Sequence, residues 1–526
     1  MNTPQTLPIR PDQIMNAAGG YGYAKDLWTQ LQDFLILGTT GGTYYVDQDD
    51  LTRKNATVLF DALAEDGPRV VALLTEASNG RAPKNRPALF ALAAAYAEGD
   101  ADTRQAAKLA LPRVARTTDH LSTFFGYYKN LGGKPTERGI APTIGRSLRT
   151  AIGSWFLYGD ADDVAFKACK AMQRRTPMGE TFSLRDALRI AHPVPDDERR
   201  KALFGWIAGN VTDDEARRAL PAIDRFLSAK AVVHRAQAVR LVTEKRVPWE
   251  FLPDAMLTDP RVWAALIDTI GPNALLRNLA RMTSIGTLKP LKPATRRAAE
   301  RLRGDLGRVH PMDVFLAMRV YAAGEPVPEI MDALEEAYEN SFGTVEPSGR
   351  RLLVAVDSSG SMSFTQVTLG GVPVGTVYEV ACAMAVMLAR IEGDNVHLID
   401  VDTIVHPSRV TRRTSLREIA SWQPSGGGTD LSLPFTWARK ERLDVDGVVV
   451  FTDNETWAGT RHPSQALTTY RREVNQDTRV VVASLTPMGH TIGDPKDAGV
   501  LNVAGLDASL PMIVNAYIRQ APRRTG

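Results

Sequence analysis

Residues Leu352 to Val356 are apolar, and they run directly into Asp357-Ser358-Ser359-Gly360-Ser361. The apolar run predicts a strand buried on both faces. Beyond it stand one carboxylate and two hydroxyls at alternate positions: Asp357, Ser359 and Ser361. Ligands of open α/β sheets sit past the carboxyl ends of the strands, so these oxygens lie at the functional edge. Hard oxygen donors without thiol or imidazole suit magnesium or manganese. Two later segments carry related chemistry. Ser425-Gly426-Gly427-Gly428-Thr429-Asp430 is a flexible loop with another hydroxyl, and Val448 to Phe451 is a second apolar strand, followed by Thr452-Asp453.

This set of Asp, two Ser, Thr and Asp on three loops resembles the metal-ion-dependent adhesion site of von Willebrand factor A domains. The resemblance implies one divalent cation, magnesium or alternatively manganese. Ser359, Ser361 and Thr429 would coordinate directly, and Asp357 and Asp453 directly or through water. Magnesium retains several waters, which leaves a position for an acidic group of a partner. The plainer alternative is an A-type domain whose loops are only hydrogen-bonded. There is no Gly-x-x-x-x-Gly-Lys-Ser/Thr phosphate loop, no His-Glu-x-x-His pair and no Gly-x-Ser-x-Gly elbow. One cation among hydroxyls suits a partner carboxylate better than hydrolysis, so a non-enzyme is expected.

The elements that position these residues begin near Pro347-Ser348-Gly349. A chain of 526 residues exceeds one core. The expected division is an N-terminal segment over 1–25, a helical domain over 26–348 and an A-type domain over 349–526. Downstream, strands at Asn395–Val401, Gly447–Thr452 and Thr478–Ser484 alternate with helices at Val377–Ile391, Ser464–Val474 and Ser509–Arg519. That alternation predicts a doubly wound parallel sheet. Upstream, segments such as Pro87–Ala97 and Met331–Tyr338 have apolar residues at helical spacing, with breaks at Gly67-Pro68, Gly209-Asn210 and Gly271-Pro272. Some 300 residues of short helices look like a solenoid of helix pairs.

No basic start followed by an apolar stretch opens the chain, and the longest helix-like apolar segment, near Ala88–Ala97, is far short of a bilayer span. Cys169 and Cys382 fit no metal or redox spacing and read as reduced thiols. The expected compartment is the cytoplasm. Charge is informative in its distribution. Residues 351–526 hold 17 Lys/Arg against 18 Asp/Glu, whereas residues 104–175 hold 13 against 5 and residues 277–308 hold 9 against 2. Two local basic excesses in a near-neutral chain are the footprint of a polyanion partner, or else solvated helix faces.

Helical array followed by A domain, together with Phe34-Leu-Ile-Leu-Gly38, Gly41-Gly-Thr-Tyr-Tyr-Val46, Ala274-Leu-Leu-Arg-Asn-Leu279, Thr344-Val-Glu-Pro347 and Phe451-Thr-Asp-Asn-Glu455, resembles a bacterial member of the Ro ribonucleoprotein (TROVE-domain) family. The resemblance implies a ring of HEAT-like helical repeats closed by the A domain. It implies binding of small noncoding Y-like RNA outside the ring and of single-stranded 3′ ends of misfolded RNA in its hole. It also implies a place in RNA quality control, with an exoribonuclease as a possible partner. By the family's Lys-x-x-x-Arg pair, Lys170 and Arg174 would contact Y-like RNA, one helical turn apart. His192 matches the end of the family's Leu-Ser-His segment, although the connection from Arg175 to Arg185 is longer than usual. His192 could equally cap a helix.

Beside the family pattern, Arg116, His120 and Lys129 lie in an Arg- and aromatic-rich stretch suited to unpaired RNA. Phe124 and Phe125 there read as core. Arg277 and Arg281 could line the hole, and Arg296 and Arg297 read as a basic face. The leading expectation is an RNA-binding scaffold. The alternative is a metal-dependent protein-interaction module with no direct RNA role.

Overall fold

The computed structural model describes residues 2–38, 51–53, 56–136, 139–142, 144–173, 183–343, 345–369 and 372–522. Among them, seventeen α-helices run from Leu27 to Asn340. Six later helices of this array open with proline in the first turn, at Pro221, Pro260, Pro272, Pro293, Pro311 and Pro328. Proline costs nothing there because that N–H lacks a partner in any case. At Gly67-Pro68 the chain breaks within Thr57–Glu76, where Asp66 leaves helical geometry and its carboxylate accepts from Arg69 N–H at 3.0 Å. Helices two apart in sequence lie side by side, as Arg86–Glu98 does with Thr118–Gly132 and Pro293–Arg303 with Pro328–Asn340. That is how stacked helix pairs bury apolar stripes none could bury alone. Edge-to-face rings hold the stack: Phe90 with Phe34, Phe60 and Tyr127, and Phe124 with Tyr96 and Phe125. Phe124 and Phe125 are buried, as their spacing predicts.

Thirteen strands are described. The short β1 (Gln13–Met15) and β2 (Tyr21–Ala24) come first, then a hairpin, β3 (Gly133–Thr136) with β4 (Gly139–Pro142), inside the array. The sheet domain holds β5 (Leu352–Asp357), a second hairpin of β6 (Gln366–Leu369) and β7 (Val372–Thr376), β8 (Val396–Val401), β9 (Val405–Pro407), β10 (Gly447–Thr452), β11 (Arg479–Ser484), β12 (His490–Thr491) and β13 (Val500–Ala504). The main sheet has the order β13-β11-β10-β5-β8-β9. It is parallel except for β9, which turns back antiparallel on β8. The doubly wound parallel sheet expected from sequence is present, with one antiparallel strand added at its edge because Asp402 to Ile404 is too short a link for a crossover.

Alternation along the strands divides the core. Leu352, Val354, Val356, Val449 and Phe451 join one hydrophobic cluster that continues into the helical array. Leu353, Ala355, Val448 and Val450 form a separate cluster on the opposite face with Leu431, Phe435 and Tyr470. The array is thus packed on one face of the sheet domain at both its ends. Its first helix, Leu27–Leu37, lies against β13, and Pro311–Ala322 lies against β7. His310 joins the three parts. Its Nε2 meets Arg81 O at 3.0 Å and Leu506 O at 3.1 Å, while Nδ1 accepts from Met312 N–H at 3.1 Å. Arg81 also pairs with Asp507 at 2.5 Å.

Residues 2–25, set apart in the sequence as an N-terminal segment, are strapped onto the sheet domain. The strand pairing runs β1-β2-β12. Gln5 is fully buried, donating to Asp430 Oδ1 at 2.7 Å and accepting from Thr456 Oγ1 at 2.6 Å. Lys25 is buried with Asp33 at 2.5 Å and also donates to Ser484 Oγ at 3.2 Å. No helix of the described residues is long and apolar enough to cross a membrane.

Burial holds the His310 imidazole down at about 4, so it is neutral in the folded chain and can both donate and accept. Above about pH 6.5 an unfolded histidine is also neutral, and the clasp contributes in full. As pH falls from there toward 4, the unfolded chain takes up a proton that the folded chain refuses, and stability declines. His310→Asn should show a shallower decline over that window, read as the urea midpoint against pH. At pH 7 His310→Ala should cost about 2–3 kcal/mol, since it orphans buried carbonyls.

Candidate functional site

Strand register builds the first site. Phe451 pairs with Val356 across β10 and β5, so Thr452 and Asp453 emerge beside Asp357. Thr452 Oγ1 donates to Asp357 Oδ2 at 2.7 Å, and Ser359 N–H donates to Asp357 Oδ1 at 3.0 Å. Ser359 Oγ and Ser361 Oγ are 3.2 Å apart. Asp453 Oδ1 accepts from Glu455 N–H at 3.0 Å. Thr429 reaches the same place because its loop is sewn to the others: Gly426 N–H bonds Ser358 O, Gly360 N–H bonds Gly427 O, and Trp457 and Ala458 N–H bond Thr429 O. Gly426 and Gly427 have φ of 86° and 85°, a left-handed course that favours glycine.

Asp357, Ser359, Thr429 and Asp453 are all buried. Burial, then the charge of Asp453, pushes the Asp357 carboxyl up to about 7. Asp453 is also raised by burial, an effect eased by a hydrogen bond from Ser361. Among the described residues no group of three or more His, Cys, Asp and Glu could hold a metal. The set is instead two carboxylates whose mutual repulsion asks for positive charge, completed by hydroxyls. It fits a hard divalent cation and contains no soft donor. Next to it, Glu455 Oε2 accepts from Ala18 N–H of the N-terminal strap at 3.0 Å, and Glu455 Oε1 lies 3.6 Å from His490 Nε2. The strap thus braces the third loop through Glu455 and the second through Asp430. Sequence reasoning missed this, because only the paired strands bring Gln5 and Ala18 to residues more than 400 positions away.

The basic candidates occupy the array. Lys170 ends the helix Ala161–Gln173 and donates to Glu250 Oε1 at 2.8 Å. Arg174 lies outside the described residues. His192 caps the helix Leu184–Ala191 with a left-handed backbone, φ 44°, and its imidazole is exposed. The helices carrying Lys170 and His192 both rest against Glu198–Ala208. Arg116 Nη1 donates to Ser78 O and Oγ, each at 2.8 Å. His120 Nδ1 faces Asn85 Nδ2 at 3.2 Å, and burial holds its imidazole down at about 4. It can stack or share a hydrogen bond but brings no charge at neutral pH. Lys129 is half-buried on Thr118–Gly132. Arg277 is exposed and lines a cavity of about 280 Å³ with Lys84, Asp313 and Tyr321.

Few of these cations meet carboxylates. Within 277–308, among the described residues, only Arg297 and Arg303 do so within 4 Å, with Asp268 and Glu336. Arg281, Lys292 and Arg301 grip backbone carbonyls, and Arg296 projects outward. Among the described residues of 104–173, only Lys170 has a carboxylate partner within 4 Å. Among the described residues, most of the local basic excess therefore has no carboxylate partner within 4 Å.

Residues 351–518 match the family model described as the Ro60 vWA domain, and residues 222–323 match that of the TROVE domain. The curated RNA-binding protein RO60 of Deinococcus radiodurans is 35% identical, over 99% of this chain and 98% of that one. RNA-binding protein RO60 of Caenorhabditis elegans is 27% identical over 98% and 91%. The crystal structure of Deinococcus radiodurans RO (RSR) protein aligns with a TM-score of 0.69 at 34% identity, covering 94% of this chain and all of that one.

The raised Asp357 pKa carries a testable sign. In chelator the folded chain keeps a proton that an unfolded aspartate has released, so this contribution is present at low pH and lost as pH rises through about 7. Asp357→Asn in chelator should therefore lose less melting temperature than the parent protein between pH 6 and pH 8, measured by circular dichroism.

Proposed function

The chain belongs to the Ro ribonucleoprotein (TROVE) family, and from that premise we propose that it is an RNA-binding scaffold that works in RNA quality control. The observation that carries this reading is the unneutralised basic charge of residues 104–173 and 277–308, whose guanidiniums and ammoniums mostly lack carboxylate partners. Such groups exchange condensed counterions for phosphates on binding. Lys170, Arg174 and His192 are assigned to a small, structured Y-like RNA. Lys170 is 37% exposed, and its bond to Glu250 can be exchanged for a phosphate at little cost. Arg116, His120, Lys129 and Arg277 are assigned to single-stranded 3′ ends of misfolded RNA, with His120 acting as a neutral group.

The acidic edge of the sheet is assigned a separate task. Asp357, Ser359, Ser361, Thr429 and Asp453 would hold one magnesium ion, or manganese, which when bound offers a coordination position to a partner carboxylate. The buried carboxylate pair supports this reading, and exposed Phe364 and Trp457 beside these loops favour a protein in that position. An exoribonuclease bearing an acidic side chain is the partner we assign to it, with no hydrolytic role for the scaffold itself.

RNA affinity should fall steeply with salt, by about 0.7 in the logarithmic slope per single-strand phosphate contacted. Lys170→Ala, Arg174→Ala and His192→Ala combined should weaken a structured small RNA about tenfold or more while sparing an unstructured tail, measured by filter binding. Salt-independent binding, or equal affinity for blunt and tailed duplexes, would defeat the RNA reading. Separately, Asp357→Ala should weaken magnesium binding at least about tenfold in calorimetry, because it removes one of the two charges. RNA affinity in that variant should be unchanged. Undiminished magnesium binding would exclude the coordination set.

A further inference from the structure

The turn Ala77–Arg81 is gripped from two sides by arginines 192 residues apart. From one side Arg116 donates to Ser78 O and Oγ, both at 2.8 Å. From the other, Arg308 packs so closely that its Cβ is 3.9 Å from where a Cβ on Gly80 would stand. Gly80 itself has φ 97°, which fixes the tight course of the turn. Neither arginine has a carboxylate within 4 Å among the described residues. The nearby acids are already engaged: Glu76 and Asp507 bind Arg81 at 3.2 and 2.5 Å, and Asp305 accepts from Gly307 N–H at 2.7 Å. Burial, and then the charge of Arg308, holds the Arg116 guanidinium below its usual range.

Two like charges converge here without an internal counter-charge. Arg308 lines a cavity of about 620 Å³ whose other donors include Asn79, Asn340 and Ser341. Lys84, three residues beyond the turn, lines the second, smaller cavity together with Arg277 from another helix of the array. Arg116 belongs to the first basic stretch of the sequence and Arg308 to the second, so the fold brings both excesses to one seam. At this seam the beginning of the array, its end and the sheet domain meet, through the His310 clasp two residues beyond Arg308. Guanidinium forks match the oxygens of a phosphate diester. The neighbouring cations would suit the next phosphates of a flexible strand.

We propose that Arg116 and Arg308 clamp a backbone phosphate of single-stranded RNA across this seam, so that the strand staples the two ends of the helical array together. The proposal rests on the RNA-binding reading above and adds where the strand is held and what it does to the fold. RNA bound in this way favours the closed seam, and by linkage a tighter seam binds RNA more strongly.

The test uses the full chain, a single-stranded oligoribonucleotide and hydrogen exchange of segments 77–84 and 304–310. In the parent protein the oligonucleotide should slow exchange in both segments. Arg308→Ala, at an exposed side chain with no carboxylate within 4 Å among the described residues, should weaken that oligonucleotide about tenfold. It should lower the logarithmic salt slope by about 0.7 and abolish the added protection. Arg308→Glu should place a carboxylate where the phosphate belongs. It should raise the melting temperature without RNA at low salt, by pairing with Arg116, and weaken the oligonucleotide further. Parental affinity and salt slope in Arg308→Ala would overturn the clamp while leaving the RNA-binding reading intact, as would RNA protection that spares both segments. Absence of oligonucleotide binding by the parent protein would overturn both.

Discussion

An array of stacked helix pairs has two apolar end faces, and each must be covered. Here one sheet domain covers both, and that economy dictates the rest of the architecture. The first helix lies on β13 and the sixteenth lies by β7, so the array has to bend back until its ends meet. The sheet accepts this load because its parallel strands are apolar on both faces. One face merges with the array core while the other keeps its own cluster with Leu431, Phe435 and Tyr470. His310 sits where three chain segments converge, and it satisfies carbonyls from two of them with one neutral ring.

The same closure sorts charge. Cations gather on the array and its seam, while the buried carboxylates Asp357 and Asp453 lie at the carboxyl edge of the sheet. Positive and negative charge are therefore concentrated in different parts of one molecule. The physical cause differs between the two. The acidic edge follows from strand register, which sets Asp453 beside Asp357. The basic seam follows from long-range closure, which brings Arg308 to the turn already held by Arg116.

That difference also explains what could be read from the residues alone. The strands expected at Asn395–Val401, Gly447–Thr452 and Thr478–Ser484 occur within one residue of those limits; the latter two are nearly unbroken apolar runs buried on both faces, while the first, with His397 and Asp400, is buried only toward its end. Asp357, Ser359, Ser361 and Asp453 lie together because their loops follow such strands, whereas the Thr429 loop follows a helix and is held by backbone bonds to its neighbours. The edge strand β9 and the strap strands β1 and β2 were invisible, being short and partly polar. The basic excess was legible as charge but not as place. Lys170 turned out to hold Glu250, His120 to be a half-buried ring whose burial lowers its basicity, and Arg308 to stand at the seam. Pairings such as Lys25 with Asp33 and Ser484 depend on tertiary approach, which no local pattern encodes.

The N-terminal strap sets an order of events in the life of the chain. Residues 2–25 are made before the helical array, yet their partners are Asp430, Thr456, Ser484 and β12. At about 5–20 residues per second, the ribosome needs roughly 25–100 s to reach β12. Throughout that interval β1 and β2 have no third strand, and Lys25 lacks Ser484. The array can begin to stack as it emerges, since its contacts are mostly between near neighbours in sequence. The strap cannot, and its docking requires the chain to have been delivered as far as β12. A nascent molecule therefore carries an undocked pair of strap strands until β12 is in place.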